Sequence, residues 1–254
     1  MGDRLIIPVG YFGKVDMSGM AALVAHPNVQ RLGNIMQLGL DHLIFRGVRH
    51  TRLEHSVSAA GLAKRTIDHL TSYGFDPSWE KPMMAYGLLH DIGHPAFGHA
   101  MEFELKLNLD RNTIDFLDRP CPRGGPTLRE TMQSIGIDDQ KVEALLVHTT
   151  PEHQIVKDRN IGADKLAYVF MDNHYSGLID NPPNLDALLL QLRYVSGDFG
   201  VSEQGAQLLT GAMRLYIDLR LHLYGNHKCA AAERMLQKAV EIAYKGKEFT
   251  IEEV

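Results

Sequence analysis

Residues 82–99 read PMMAYGLLHDIGHPAFGH, and the fold is decided there. Pro82 suits a first helical turn, where its fixed φ is compatible and its missing N–H is not needed. Met83 to Leu89 is almost wholly apolar, which predicts a helix buried on all sides. Gly93 and Pro95 end it, because proline pushes the residue before it out of helical geometry. His90 and Asp91 are therefore the last polar groups of a central helix. Burying an unpaired imidazole or carboxylate costs roughly several kcal/mol, and a divalent cation is one group that offsets this. A His-Asp pair that only caps or salt-bridges is the alternative. Neighbouring residues differ by about 100° around a helix, so His90 and Asp91 can share an ion only near the helix end, with other helices supplying further donors.

Two flanking segments offer such donors. Thr51-Arg52-Leu53-Glu54 has the form of a capping box, followed by Leu53, Val57, Ala60, Ile67 and Leu70 at helical spacing until Gly74. His55 lies off that stripe beside Ala59 and Leu62, so it faces a second layer, as a core histidine or as a ligand. A helix is also expected over 161–173. Asp164, Tyr168 and Asp172 share one face of it, while Leu166, Val169 and Phe170 share the other. Asp164 and Asp172 would stand roughly 12 Å apart along the axis. One could hold a metal while the other reaches the sugar of a nucleotide-sized ligand; a solvated face is the alternative.

The rest of the chain predicts an all-α fold with a short N-terminal β-hairpin. Pro8, Gly10 and Gly13 among apolar residues indicate the hairpin over 5–17. Further helices are expected over 28–38 with a stop at Gly39, and over 138–147, 184–195, 202–222 and 227–245. Residues 120–126 and Asn181-Pro182-Pro183 read as loops. The 254 residues, 44% hydrophobic, suit a single domain spanning 1–254, with a helical C-terminal extension from about 184. A net charge of −5 gives no reason to expect nucleic acid as a partner. Cys121 and Cys229 form neither a CxxC pair nor a disulfide framework. No stretch approaches membrane-spanning length and the first apolar run is too short for a signal-peptide core, so a cytoplasmic location is expected.

Four blocks in order resemble the HD-domain metal-dependent phosphohydrolases, in the branch of the deoxynucleoside triphosphate triphosphohydrolases and the SAM-and-HD-domain enzyme. They are Gln30-Arg31-Leu32 with Gln37-Leu38-Gly39, RHTRLEHS at 49–56, LLHDIGHPAFGH at 88–99 and ADKLAYVFMD at 163–172. The resemblance spans residues 8 to about 175 and continues more weakly to Tyr224. It implies an HD-domain helical bundle whose metal ligands are His55, His90, Asp91 and Asp164. Mixed imidazole and carboxylate ligation suits Mn, Fe, Co, Ni or Zn, with Mg on the substrate phosphates. His94 and His99 match phosphate-approaching histidines, His99 being the better proton donor to the leaving oxygen and Glu102 its orienting carboxylate. Arg52 and Lys165 match phosphate contacts and Tyr168 the residue packed against the sugar. Gln37 and Asp172 match the pair bonding the 3′-hydroxyl, and Tyr224 follows the family's trend, while Arg214 and Arg220 compete for a later phosphate-binding arginine.

The implied reaction is hydrolysis of a (deoxy)nucleoside triphosphate to nucleoside and triphosphate, by a protein expected to be a homo-oligomer. There are departures. Thr127-Leu128-Arg129-Glu130 stands where the family usually has a further histidine. The long C-terminal lobe and the SAM domain have no counterpart in residues 1–254, so nucleotide-activated tetramerisation is not expected. Other HD reactions remain open, as a nucleotidase or a cyclic-nucleotide phosphodiesterase. Guanosine tetraphosphate hydrolysis is disfavoured, because Ile92-Gly93-His94 replaces the acidic pair those enzymes carry after His-Asp. A nucleotide-binding regulator with weak turnover is the reading from a different class.

Overall fold

The computed structural model describes residues 4–98, 101–102, 108–121 and 124–246. The expected hairpin is formed by β1 (Ile6–Val9) and β2 (Gly13–Asp16), antiparallel, with Ile6 opposite Asp16 and Val9 opposite Gly13. Two short helices follow, α1 (Ala21–Ala25) and α2 (Pro27–Gln30). The helix expected over 28–38 does not form; a 3-10 turn at Arg31–Asn34 leads into extended chain. Tertiary bonds replace the helical ones there. The Arg52 N–H donates to the Ile35 carbonyl at 2.8 Å, the Gln37 N–H donates to the His50 carbonyl at 3.0 Å, and Met36 bridges Thr51. Gln37 is thereby set beside the start of the next helix. Gly39 does adopt a positive φ of 49°, but in a loop rather than at a helix end.

Helix α3 (Arg52–Thr71) opens with the expected capping box: the Thr51 hydroxyl accepts from the Glu54 N–H, and the Glu54 carboxylate accepts from the Thr51 N–H at 2.7 Å. Helix α4 (Glu80–Leu89) is buried at every position from Pro82 to Leu89, as its uninterrupted apolar run predicts. Among the described residues these two helices make the most extensive contact between elements. Gly87 permits it, because a Cβ there would stand 2.8 Å from the Ala60 Cα and backbone N. The hairpin packs on α3 through Gly61, where a Cβ would meet a Val15 methyl at 2.6 Å.

The middle of the chain forms α5 (Leu109–Asp118), α6 (Leu128–Ser134), α7 (Asp139–Leu146), α8 (Gln154–Lys157) and α9 (Ala163–Ser176). Thr127 and Glu130 make a second capping box at the start of α6, so the segment lacking the family histidine serves as a helix start. Helix α9 packs on α3 and ends at Gly177, whose φ of 64° closes it.

The helix expected over 184–195 is a correction. Only α10 (Leu185–Leu189) forms, and β3 (Leu192–Val195) pairs antiparallel with β4 (Asp198–Val201). Ser196 and Gly197 both have positive φ, 54° and 93°, which is the backbone of a two-residue hairpin turn matched to strand twist. The chain continues through α11 (Ala206–Leu219), a π-helical turn at Arg220–Tyr224 and α12 (His227–Lys245). Helix α11 packs against α9. Buried apolar side chains connect from Val9 to Leu223. The bundle thus agrees with the all-α expectation, with the N-terminal hairpin and a second small hairpin.

Candidate metal centre and adjoining cavity

Three helices bring four donors to one point. His55 comes from the first turn of α3, His90 and Asp91 from the end of α4, and Asp164 from the first turn of α9. His55 Nε2 lies 3.2 Å from His90 Nε2 and 3.1 Å from Asp164 Oδ1. His90 Nε2 lies 3.3 Å from Asp164 Oδ1 and 3.4 Å from Asp91 Oδ1, while His55 Nε2 and Asp91 Oδ2 are 3.7 Å apart. Ligands bonded at ~2.1 Å to one cation stand about 3 Å apart at right angles, so these spacings suit a shared ion.

The donor chemistry agrees. His90 Nδ1 is 2.8 Å from the Gly87 carbonyl, which can only accept. Nδ1 therefore carries a proton, and Nε2 is the nitrogen turned to the centre. Two imidazole Nε2 atoms and two carboxylates converging on one point form a donor set that suits a divalent cation. His55, His90 and Asp91 are buried, and Asp164 keeps 19% of its side chain exposed. His55 Nδ1 is buried without a hydrogen-bond partner among the described residues.

Burial pushes the Asp91 carboxyl up, but His90, His94, Arg52 and Lys157 outweigh it and hold the group well below the usual carboxylate range. Asp164 behaves alike: burial raises it, and Lys157, His90 and hydrogen bonds from His55 and His90 bring it well down. Both carboxylates are ionised. Arg52 Nη1 donates to Asp91 Oδ2 at 2.7 Å, and Lys157 Nζ donates to Asp164 Oδ2 at 2.8 Å.

The loop behind Asp91 is fixed from two sides. Arg31 donates from Nη2 to the Ile92 carbonyl at 2.6 Å and from Nη1 to the His94 carbonyl at 2.9 Å. Asn112 Nδ2 donates to the Gly93 carbonyl, and a Cβ on Gly93 would meet the Thr113 N at 2.6 Å. His94 Nδ1 is 3.6 Å from Asp91 Oδ1, so this predicted residue adjoins the centre. His99 lies outside the described residues. Glu102 is half-buried, with its N–H donating to the Gly98 carbonyl at 3.1 Å.

Arg52 joins the centre to a cavity of about 400 Å³, also lined by Gln37, Asp41, Tyr168, Asp172, Tyr216, Arg220, Tyr224 and Glu233. Five of the six substrate-contact candidates thus line it; Lys165 reaches its wall. Lys165 Nζ donates to the Tyr168 hydroxyl at 2.6 Å and sits over the Tyr216 ring at 2.9 Å from its centre. Burial lowers its pKa to about 8, Asp164 working against this and Arg220 with it. Of the two competing arginines, Arg220 lines the cavity and Arg214 does not. Asp172 is already held at both oxygens, by His50 Nε2 at 2.7 Å and the Tyr224 hydroxyl at 2.5 Å. Gln37 Oε1 is buried without a hydrogen-bond partner among the described residues. Neither this cavity nor a larger groove of about 940 Å³ between the hairpin, α3 and residues 182–186 is lined by the four donors, but only the smaller one includes Arg52, which bonds Asp91. The smaller cavity is the one that meets the chemistry.

Sequence reasoning did not single out Lys157, His50, Tyr216, Asp41 or Glu233. Lys157 sits in a four-residue helix too short to show a periodicity. His50 adjoins a quoted block, but nothing local links it to Asp172, 122 residues away.

No family model matches the chain. Curated relatives do. The uncharacterized protein YwfO of Bacillus subtilis is 25% identical over 87% of this chain and 51% of its own length. A chain of Acanthamoeba polyphaga mimivirus described as an HD domain-containing protein is 26% identical over 64% of this chain and 41% of its own. A homolog of deoxynucleoside triphosphate triphosphohydrolase SAMHD1 from Dictyostelium discoideum is 34% identical over 29% of this chain and 15% of its own. Among solved structures, a phosphohydrolase from Bacteroides thetaiotaomicron shares the fold with a TM-score of 0.84 at 24% identity, covering 96% of this chain and 60% of that one. Three helices converging on a His, His-Asp, Asp set, together with these relatives, make the chain similar to the HD-domain phosphohydrolases. It spans about half or less of the length of the curated relatives named above. No described helix is long and apolar enough to cross a membrane.

Proposed function

We propose that this chain is a metal-dependent hydrolase of nucleotides, with (deoxy)nucleoside triphosphates, cleaved to nucleoside and triphosphate, as its best-fitting substrates. The observation that carries the reading is the continuity of a largely buried four-donor centre with an aromatic cavity through one residue, Arg52. His55, His90, Asp91 and Asp164 would hold Mn, Fe, Co, Ni or Zn. When bound, such an ion supplies Lewis acidity toward a phosphate oxygen and an acidified water.

The chain's own groups do the rest. Arg52, Lys165 and Arg220 bind phosphate oxygens and neutralise charge that develops at the phosphorus. Tyr168 packs against the sugar, and Gln37 Oε1, buried and unpartnered, accepts from a sugar hydroxyl. Asp172 accepts from the 3′-hydroxyl while His50 and Tyr224 fix its orientation. His94, beside Asp91, orients the phosphate; His99 donates the proton to the leaving oxygen and Glu102 positions it. The partial likeness to a triphosphohydrolase supports this substrate class. Solubility in the cytoplasm and self-association into a homo-oligomer belong to the same reading.

One observation favours a second reading, a nucleotide-binding regulator with weak turnover: Thr127 and Glu130 are engaged in capping α6, so this segment supplies no catalytic partner. Purified protein loaded with Mn²⁺ and screened against nucleotides, reading triphosphate and inorganic phosphate separately, tests both. Triphosphate release that vanishes in Asp91→Ala supports the first. Tight binding without turnover supports the second, and neither binding nor turnover refutes both.

A further inference from the structure

The Asp164 carboxylate faces two positive positions. Its Oδ1 is 3.1 Å from His55 Nε2 and 3.3 Å from His90 Nε2, while its Oδ2 accepts from Lys157 Nζ at 2.8 Å. The same ammonium is 4.0 Å from Asp91 Oδ1. In two-metal hydrolases the ions sit about 3.5–4 Å apart, and a carboxylate placed between them turns one oxygen to each. Here Asp164 turns one oxygen to the imidazole pair and the other to an ammonium, with Asp91 reaching both.

We propose that Lys157, held between Asp164 and Asp91, occupies the place a second metal ion would take and so restricts the centre to one ion. Three features carry this. The ammonium offers the two carboxylates the charge a second cation would offer, at hydrogen-bond distance from one of them. It is tethered: α8 ends at Lys157, and a tight bend returns the chain to α9, with Gly162 so close that a Cβ there would meet the Val156 carbonyl oxygen at 2.4 Å. The void that Lys157 shares with His90, His148 and Tyr86, about 10 Å³, is too small to take a hydrated ion in its place. A fixed monovalent charge also repels a divalent ion at the neighbouring position, so Lys157 sets affinity as well as stoichiometry.

This inference rests on the metal centre of the proposed function, and Mn²⁺ titration of the metal-stripped full chain, followed by loss of the free-ion electron paramagnetic resonance signal, separates the two. We expect one ion per chain for the wild type and for Lys157→Arg. Lys157→Glu, which replaces the ammonium by a third carboxylate, takes up two ions with a spin-coupled spectrum. Lys157→Gln, a neutral control where the glutamate variant fails to fold, binds its first ion at least threefold more tightly. Two ions in the wild type, one ion in folded Lys157→Glu, or weaker first-ion binding in Lys157→Gln overturns the inference, the last marking Lys157 as a group that only orients Asp164. No Mn²⁺ bound by the wild type overturns the metal centre itself.

Discussion

Gly87→Ala tests the step from helix packing to metal chemistry. The added methyl carbon would stand 2.8 Å from the Ala60 Cα and N and 3.0 Å from the Ala59 carbonyl carbon. Those are backbone atoms of a buried helix and cannot swing aside. Reaching an ordinary contact of about 3.4 Å requires α3 and α4 to part by about 0.6 Å at this point. Overpacking of this kind costs about 1–3 kcal/mol, against a gain of about 1 kcal/mol from exchanging glycine for alanine in a helix. The net loss, about 0–2 kcal/mol, shifts the Tm of a chain this size by at most about 8 °C. Stability is therefore a weak readout, and metal binding is the sharp one. His55 and His90, whose Nε2 atoms are 3.2 Å apart, project from these two helices, and metal–ligand distances tolerate about 0.2 Å. Gly87→Ala should weaken Mn²⁺ binding about tenfold or more in a calorimetric titration. Gly61→Ala is the control, because its methyl meets a Val15 side chain that can turn away; it should bind the ion as the wild type does. Wild-type affinity in Gly87→Ala, or equal losses in both variants, would refute the link between helix separation and donor spacing.

Asp91→Ala should abolish both metal binding and hydrolysis, and by leaving buried Arg52 unpaired it should cost about 3–5 kcal/mol of stability; metal analysis beside a denaturant melt checks both, and full activity in a metal-free sample would contradict the mechanism. Tyr168→Ala should mainly relax sugar selection, with the ratio of kcat/KM between deoxy- and ribonucleotides falling about tenfold while metal content stays unchanged. Asp41 has a carboxyl that burial pushes up to about 6, with Cys229 working against this and Glu233 and Asp172 adding to it. Its folded value exceeds its unfolded one, so ionisation destabilises the fold: the penalty is absent below about pH 4, grows to pH 6 and is constant above. Asp41→Asn should therefore raise Tm at pH 8 and leave it unchanged at pH 4, and the opposite order in thermal melts would refute the assignment. Thr51→Ala should cost about 1 kcal/mol through loss of the α3 cap, read as a lower denaturant midpoint.

The features legible in the sequence were those recorded locally. The capping box before α3, the apolar run of α4 and the polar face of α9 each depend on residues within a turn or two of one another, and each formed as expected. The segment over 28–38 was misread because its backbone bonds go to residues 50–52, a partnership no helical periodicity contains. Residues 192–195 were misread because apolar positions there fit both a helix and alternating strands, and only the positive φ at Ser196 and Gly197 decides. In the centre, residue types in sequence order indicated His55, His90, Asp91 and Asp164, but what brings them to one point is interhelical distance, set by glycines whose role is invisible without their neighbours. Lys157 escaped notice for the same reason: a lysine seven residues before an aspartate is ordinary until the chain bends back.

Charge balance links the architecture to the choice of ligand. Asp91 and Asp164 contribute two negative charges, and Arg52 and Lys157, each at hydrogen-bond distance, contribute two positive ones. The protein's own groups thus neutralise the carboxylates and hold the donors in register, which a buried cluster of this kind requires if it is to fold before meeting an ion. Adding a divalent cation then leaves the centre with a net charge of about +2, beside a cavity where Arg220 and Lys165 are further cations. A site of that sign, enclosed by Tyr168, Tyr216 and Tyr224, favours a polyanion carrying a flat or apolar portion, and the same charge disfavours cationic or neutral ligands of equal size. Asp41, Asp172 and Glu233 line the same cavity and repel phosphate. In the proposed nucleotide complex the polyanionic end would therefore be directed toward Arg52 and the metal donors, and the sugar and base toward the carboxylates.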